Sequence, residues 1–339
     1  MISSVLYIGQ HQEGSTSRMR ATAIREILNK ARFRVIDTNA PYHKSNPVFR
    51  SIAFRYKTGP LIPKINSYVI NNLGDESYDI IWVDKAVYIS PKTTDILRSR
   101  TKLLIHFTPD PAFTFHKSSL FYLSLPKYDY AITTKSYELD FYHKHLDKDK
   151  VYFMYQGYDP QVHQNSVQFK DRDLSIVFIG HAEHERFQMM QTLLNNQFHI
   201  RLAGRNWSKF AKKNKHVKHL DFRGEGLYGP GYVSALNNSK YSWGALSKWV
   251  PEKHTTRTFE IPACGSALIS ERTTEIQDIF SDDEVIFYSN LDDLQEKIRW
   301  YNTHPDELEK LAGLGYSKVV SAGLDYRSQI EKMFDKIFQ

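Results

Sequence analysis

Cysteine is nearly absent: Cys264 is the only one in 339 residues, so no disulfide can form within the chain. That leads us to expect a reducing, cytoplasmic setting. Long apolar runs are missing as well, and none approaches the roughly 20 residues that a bilayer-spanning helix requires. The opening stretch MISSVLYIGQ has no basic region ahead of its apolar run, which speaks against a secretory leader. Acidic side chains are missing from Thr38 to Gly74, where Lys44, Arg50, Arg55, Lys57 and Lys64 alternate with Tyr42, Phe49, Phe54 and Tyr56. Interleaved basic and aromatic groups suit a membrane interface or a lipid-linked acceptor, and the expected peripheral contact covers residues 42–64. Single-stranded nucleic acid suits the same pattern, as does an acceptor loop with no lipid contact. No nucleic-acid partner is expected.

What is present is an ordinary globular composition, with 41% hydrophobic and 24% charged residues over a length suited to about two domains. The formal net charge of +7 is unevenly spread. Residues 1–165 hold 22 Lys/Arg against 15 Asp/Glu, whereas residues 166–339 hold 23 of each. Either the first half meets an anionic partner, or the surplus serves solubility alone.

Short apolar runs recur between segments of helical spacing. In the first half they are Val5–Ile8, Phe33–Ile36, Ile80–Val83, Leu103–His106, Tyr130–Thr133 and Val151–Tyr155. In the second half they are Leu174–Ile179, His199–Ala203, His219–Phe222, Tyr241–Ala245, Ala267–Ile269 and Val285–Tyr288. Strands alternating with helices predict an α/β fold with parallel sheets covered on both faces. The polar stretch Gln161–Asp173 reads as a linker. The expected domains are 1–165 and 166–322, with a C-terminal helix within 323–339 crossing back to the first. Two such open sheets would face across a cleft at the carboxyl ends of their strands, where ligands of α/β proteins bind.

Three segments can carry chemistry. The loop Gly9–Gly14 leads into a helix, and Ser15, Thr16, Arg18 and Arg20 suit an acceptor or a phosphate. That loop matches neither a dinucleotide nor a Walker A pattern, so a plain strand-to-helix turn is the alternative. The segment His106-Phe-Thr-Pro-Asp110 ends a predicted strand, which places His106 and Asp110 as catalytic candidates; a turn role for Asp110 is the alternative. The third segment runs from His254 to Gly265. There Thr255 can cap a helix, Thr256 and Arg257 can bind an anion, and Glu260 can accept from ribose hydroxyls. Arg257 and Glu260 can equally form a surface ion pair.

The run Thr-x-Arg-Thr-Phe-Glu-Ile-Pro-Ala-Cys-Gly, with Ser270-Glu271-Arg272-Thr273 and Glu275 after it, resembles group 1 glycosyltransferases related to the CgeB family. Phe178-Ile179-Gly180, Leu202 to Trp207, Val285 to Tyr288 and Asp292 to Pro305 extend the resemblance, which covers roughly residues 100–330. It implies a GT-B fold of two Rossmann-like domains, a nucleotide-sugar donor on the C-terminal domain, and no essential metal or other cofactor. It is also similar to glycosyltransferase family 4, in which two glutamates separated by seven residues line the donor site; Glu252 and Glu260 have that spacing. By the same resemblance Gly180, Arg205 and Arg257 would lie at the diphosphate, Gly224 near the base and His106 near the sugar. The implied activity is transfer to a glycan or lipid-linked acceptor with retention of configuration, in polysaccharide biosynthesis. A sugar-nucleotide epimerase of the same fold and a non-catalytic glycan-binding module are the competing readings.

A metal-dependent transferase would carry Asp-x-Asp after a strand. Asp147-Lys-Asp149 and Asp171-Arg-Asp173 both precede predicted strands and read as solvated turns. His181 and His184 have helical ligand spacing but lack a third partner, so no zinc site is expected.

Overall fold

A computed structural model describes residues 2–338. The chain folds as two compact units, Met1–Tyr155 with Gln329–Gln339, and Gln156–Ser328. The division falls at Tyr155, ten residues ahead of the expected boundary, because Gln156 is bound into the second unit: its N–H donates to His254 Nε2 at 3.1 Å. The expected linker Gln161–Asp173 is therefore part of the second unit, and His163 within it is buried.

The first unit is built on β1 (Ser4–Gly9), β2 (Arg32–Asp37), β3 (Tyr78–Asp84), β4 (Thr101–Thr108), β5 (Tyr130–Thr133) and β6 (Val151–Phe153). They pair in the order β2-β1-β3-β4-β5-β6, all parallel. The second unit holds β7 (Asp173–Ile179), β8 (Ile200–Ala203), β9 (Leu220–Phe222), β10 (Ser239–Trp243), β11 (Ala267–Glu271) and β12 (Ile286–Tyr288). Their order is β12-β11-β10-β7-β8-β9, again parallel. Every apolar run singled out in the sequence is one of these twelve strands.

The strands are apolar on both faces because helices cover both. Val5, Leu6, Tyr7 and Ile8 are all fully buried, as is the run Ile80–Val83. In the second unit Phe178, Tyr241, Ile269, Leu202 and Trp207 play the same part. Helix starts follow their caps. Ser15 Oγ accepts from Arg18 N–H at 3.2 Å ahead of the helix Thr16–Ile27, and Asn290 caps Leu291–Thr303.

The acid-free stretch is three helices, Asn39–His43, Pro47–Tyr56 and Leu61–Leu73, not a loop. Asn46 caps the second through Val48 N–H, and Pro47 sits at its first turn. Leu61, Ile65, Val69 and Leu73 recur every four residues and bury one face of the third. The helix Tyr326–Ile337 closes the chain, and from Gln329 onward it belongs to the first unit, with Phe334 edge-on to Trp82 at 6.3 Å. Among the described residues no helix is long and apolar enough to cross a membrane.

Candidate functional site

In an open parallel sheet, ligands gather where the strand order reverses, beyond the carboxyl ends of the two strands on either side. In the second unit those strands are β7 and β10. After β7 the chain makes the turn Gly180–Glu183 and enters the helix His184–Asn195; after β10 it passes through Ala245 to a loop ending at the helix Arg257–Ala263.

Two arginines converge on this point. Arg257 donates to the carbonyls of Ile179 and Ala245 at 3.2 and 3.4 Å. Arg186 donates to the carbonyl of His181 at 3.0 Å and reaches the same Ala245 carbonyl at 3.5 Å. Each keeps a buried Nε without a partner. Burial is the main cause lowering the Arg186 pKa, and the neighbouring Arg257 lowers it further, while Glu183, Glu252 and Glu271 act the other way. Burial likewise holds the His181 imidazole below its usual value, helped by Arg205, Arg186 and Arg257. Two guanidinium groups on one carbonyl repel each other, and an anion bridging them relieves that repulsion by charge-assisted bonds.

Carboxylates frame the pair. Glu183 binds Arg186 at 2.8 Å and accepts from Lys248 N–H at 3.0 Å, which ties the β7 turn to the loop after β10. Glu252 accepts from Ser247 N–H at 2.9 Å and shapes the same loop. The glycines admit a close approach. A Cβ at Gly204 would lie 1.9 Å from the Gly180 carbonyl oxygen, so the turns after β7 and β8 touch backbone to backbone. Trp207 Nε1 completes the contact by donating to that carbonyl at 2.9 Å.

The predicted donor residues fall into three groups. Gly180 and Arg257 stand at the reversal point, and a Cβ on Gly180 would meet Arg257 Nη1 at 3.4 Å. Gly224 is bonded to Gly204 through its carbonyl at 3.0 Å, and Arg205 is exposed on the same turn. The helix start differs from expectation. Thr256 is the cap residue but makes no side-chain bond, and Thr255 accepts none; its buried Oγ1 is unpartnered, while Thr255 N–H donates to Thr258 Oγ1 at 3.1 Å. Thr258 thus does locally what Thr255 was expected to do. Gly265 does end the helix in the left-handed region, at φ +73°.

Glu260 also departs from its expected setting. It pairs with no arginine at the surface; it is buried, accepts from Tyr232 Oη at 2.7 Å, and lies 3.6 Å from His163 Nε2. Its neighbour His254 is fully buried, with Nε2 accepting from Gln156 N–H and Nδ1 2.5 Å from Glu275. That geometry fixes the neutral tautomer protonated on Nδ1.

Arg186 and Glu183 were not recognised in the sequence, although their i, i+3 spacing just after a strand is a usable signal. Gly224-Glu-Gly226-Leu-Tyr-Gly229 was also passed over; it has dinucleotide-loop spacing but follows the edge strand β9, away from the reversal point.

In the first unit the order reverses between β1 and β3, and two predicted residues are corrected there. Arg20 is not available to an acceptor: it is 1% exposed and clamps Asp84 through two bonds of 2.8 and 3.1 Å. Tyr7 Oη also donates to Asp84, at 2.8 Å, so the carboxylate is enclosed. His106 is not at a strand end facing ligand. It is 1% exposed, between Phe121 and Tyr128 at 4.7 and 5.3 Å, with Nδ1 unpartnered, and burial pushes its pKa down to about 3. The imidazole alternates inward along β4, whereas Asp110, beyond the strand, reaches the carboxyl edge and pairs with Lys85. Ser15 is spent on its helix cap, while Arg18 is exposed. Glu138, overlooked in the sequence, is fully buried and accepts from the N–H groups of Ala112, Phe113 and Thr114 at 2.7–3.1 Å, fixing the loop after Asp110.

Asp147-Lys-Asp149 precedes β6, with Asp147 paired to Lys150, whereas Asp171-Arg-Asp173 runs into β7, whose first residue Asp173 pairs with Arg201. Among the described residues no group of three or more His, Cys, Asp or Glu is placed to hold a metal ion.

A family model described as "Glycosyl transferase-like" matches residues 186–335. Spore protein CgeB of Bacillus subtilis (strain 168) is 23% identical over 204 residues, which is 57% of this chain. The match spans 63% of that relative's length, less than two thirds. Among solved structures, Anabaena HepE in complex with UDP superposes with a TM-score of 0.65 at 12% identity, covering 98% of this chain and 99% of that one. Sucrose-phosphate synthase from Thermosynechococcus elongatus gives 0.68 at 12% identity, with 99% of each chain covered. The shared fold is GT-B.

Proposed function

We propose that this chain, a CgeB-like protein with a glycosyl transferase-like domain on a GT-B fold, transfers a sugar from a nucleoside diphosphate donor to an acceptor. The observation that carries the proposal is the pair Arg186 and Arg257, drawn together at the reversal point of the second sheet with unpartnered Nε groups. A leaving diphosphate gains negative charge in the transition state, and preorganised guanidinium groups stabilise that charge selectively. In this reading the arginines do the work that a metal does in other transferases, so the reaction needs none. We take the configuration to be retained, following the resemblance to family 4.

Arg257 and Arg186 take the diphosphate, with Gly180 allowing its close approach and Arg205 supplying further charge. Glu260, one turn along from Arg257, accepts from the ribose hydroxyls through lone pairs that Tyr232 leaves free. Gly224 lies toward the base, and Glu252 holds the loop beside the sugar. A uridine diphosphate sugar is the first donor to test, because the HepE neighbour was crystallised with UDP. On the acceptor side Arg18 remains a candidate. The setting is cytoplasmic. Val48, Phe54 and Tyr56 are exposed on the helix Pro47–Tyr56 beside Arg50 and Arg55, which supports a peripheral contact of residues 42–64 with an anionic membrane carrying a lipid-linked acceptor.

The test is turnover. Incubation with nucleotide sugars and glycan or lipid-linked acceptors should release nucleoside diphosphate only when an acceptor is present, and Arg257→Ala should abolish the release. Conversion of the donor's sugar without any acceptor would identify an epimerase instead. Absence of turnover together with retained glycan binding would identify a binding module.

A further inference from the structure

The carboxyl edge of the first sheet carries a second charged cluster that no motif announced. Lys85 directly follows β3 and pairs with Asp110, which follows β4. Lys57, at the end of the helix Pro47–Tyr56, is only 7% exposed. Its Nζ donates to the Phe54 carbonyl and lies 5.0 Å from the Phe54 ring centre and 5.9 Å from that of Tyr88. His116 packs edge-on against the same Phe54 ring at 5.8 Å. Burial lowers the Lys57 pKa and Lys85 lowers it further, and the carboxylate that acts on it in the opposite sense, Asp110, is already held by Lys85. Burial also brings the His116 pKa down to about 4, against the pull of Asp110.

Both lysines sit in the left-handed region, at φ 54° and 60°, a conformation disfavoured for any residue with a Cβ. Only Gln197 and Asn206 share it among the other described non-glycine residues. The surrounding structure therefore holds two ammonium groups in place against a local cost, with one carboxylate paired to Lys85 and acting on Lys57 at longer range. Beside them Phe54 is half exposed and presents an aromatic edge.

We propose that Lys57 and Lys85 recognise an oxyanion on the acceptor, so that the acceptor is a sugar bearing a carboxylate or a phosphate. Asp110 occupies the anion's place in the free protein. The acceptor's oxyanion binds Lys57 and draws Lys85 from Asp110, and the C–H face of its ring packs on Phe54. This rests on the reading of the chain as a transferase, and it joins Lys57 and Phe54 of the acid-free stretch to Lys85, which no motif singled out.

The experiment is calorimetric titration of the full chain with glucuronic acid, glucose 6-phosphate, inorganic phosphate and glucose, each with and without saturating UDP. Both anionic sugars should bind measurably tighter than glucose, and tighter than phosphate alone. Lys57→Gln and Lys85→Gln should each weaken them by roughly tenfold or more, the loss of one charge-assisted bond. Lys30→Gln, an exposed lysine elsewhere in the unit, removes the same charge and should leave them unchanged. Asp110→Asn should tighten them, a gain that misfolding cannot produce. Equal binding of glucose and the anionic sugars, or unchanged affinity in both lysine variants, would overturn the proposal. UDP binding in the same titrations is read separately, and its absence counts against the donor site alone.

Discussion

Each sheet reverses its strand order once, but one reversal point is filled from within and the other keeps two buried arginine nitrogens without a partner. Between β1 and β3 the Arg20 guanidinium is neutralised by Asp84, which also accepts from Tyr7 Oη, and it lies 4.3 Å from the Phe107 ring centre. Gly9 gives the space: a Cβ there would meet Asp84 Cβ at 2.8 Å. Between β7 and β10 Glu183 pairs with Arg186, Arg257 has two long bonds to backbone carbonyls, and the Nε of each arginine stays unpaired. An arginine at a reversal point is therefore no evidence of a ligand by itself. What separates the two is how fully the protein satisfies the guanidinium groups: a closed ion pair locks a sheet edge, whereas nitrogens left without a partner can accept a ligand anion.

Substitutions can break that contrast. Arg20→Ala strands Asp84 in the core and should cost about 3–5 kcal/mol in chemical denaturation. If the variant unfolds at the wild-type denaturant concentration, the pair is no lock. His106→Phe should leave stability near neutral pH within about 1 kcal/mol and leave turnover intact, since the imidazole is neutral and surrounded by rings. Its effect lies in acid. A histidine with its folded pKa depressed to about 3 contributes stability above the unfolded value near 6.5, which is lost as pH falls through that window. The wild type should therefore lose up to about 1.4 kcal/mol per pH unit more steeply than the variant below that value. Identical acid limbs, or a collapse of turnover in the variant, would restore His106 to the active site. Arg257→Ala should shift stability by only about 1 kcal/mol, because its two bonds go to backbone carbonyls at long range. A loss matching that of Arg20→Ala would make it a structural arginine too. Ser15→Ala should cost about 1 kcal/mol as a lost helix cap, with acceptor affinity unchanged.

Much of the fold was legible because parallel strands buried on both faces leave uninterrupted apolar runs, and each of those runs is a strand. The three helices of residues 39–73 were less visible, since charge and aromatic content masked the four-residue spacing of Leu61, Ile65, Val69 and Leu73. At the site, Gly180 and Arg257 could be anticipated from the resemblance. Arg186 could not, because its role comes from a carbonyl 59 residues away, Ala245. Side-chain direction misled at His106 and Arg20: a place near a strand end, or in the first turns of the helix Thr16–Ile27, does not decide whether a side chain faces the core or a ligand. The domain boundary slipped because Gln161–Asp173 looks like a linker by its polarity, although His163 within it is buried and Gln156 ahead of it is bound to His254.

Titration calorimetry of UDP against the wild type and Arg257→Ala tests the account most directly. The wild type should bind UDP, and the variant should lose about a hundredfold in affinity, the worth of a charge-assisted pair at a desolvated diphosphate. Equal affinity in the two proteins would contradict the assignment of the second sheet's reversal point as the donor site.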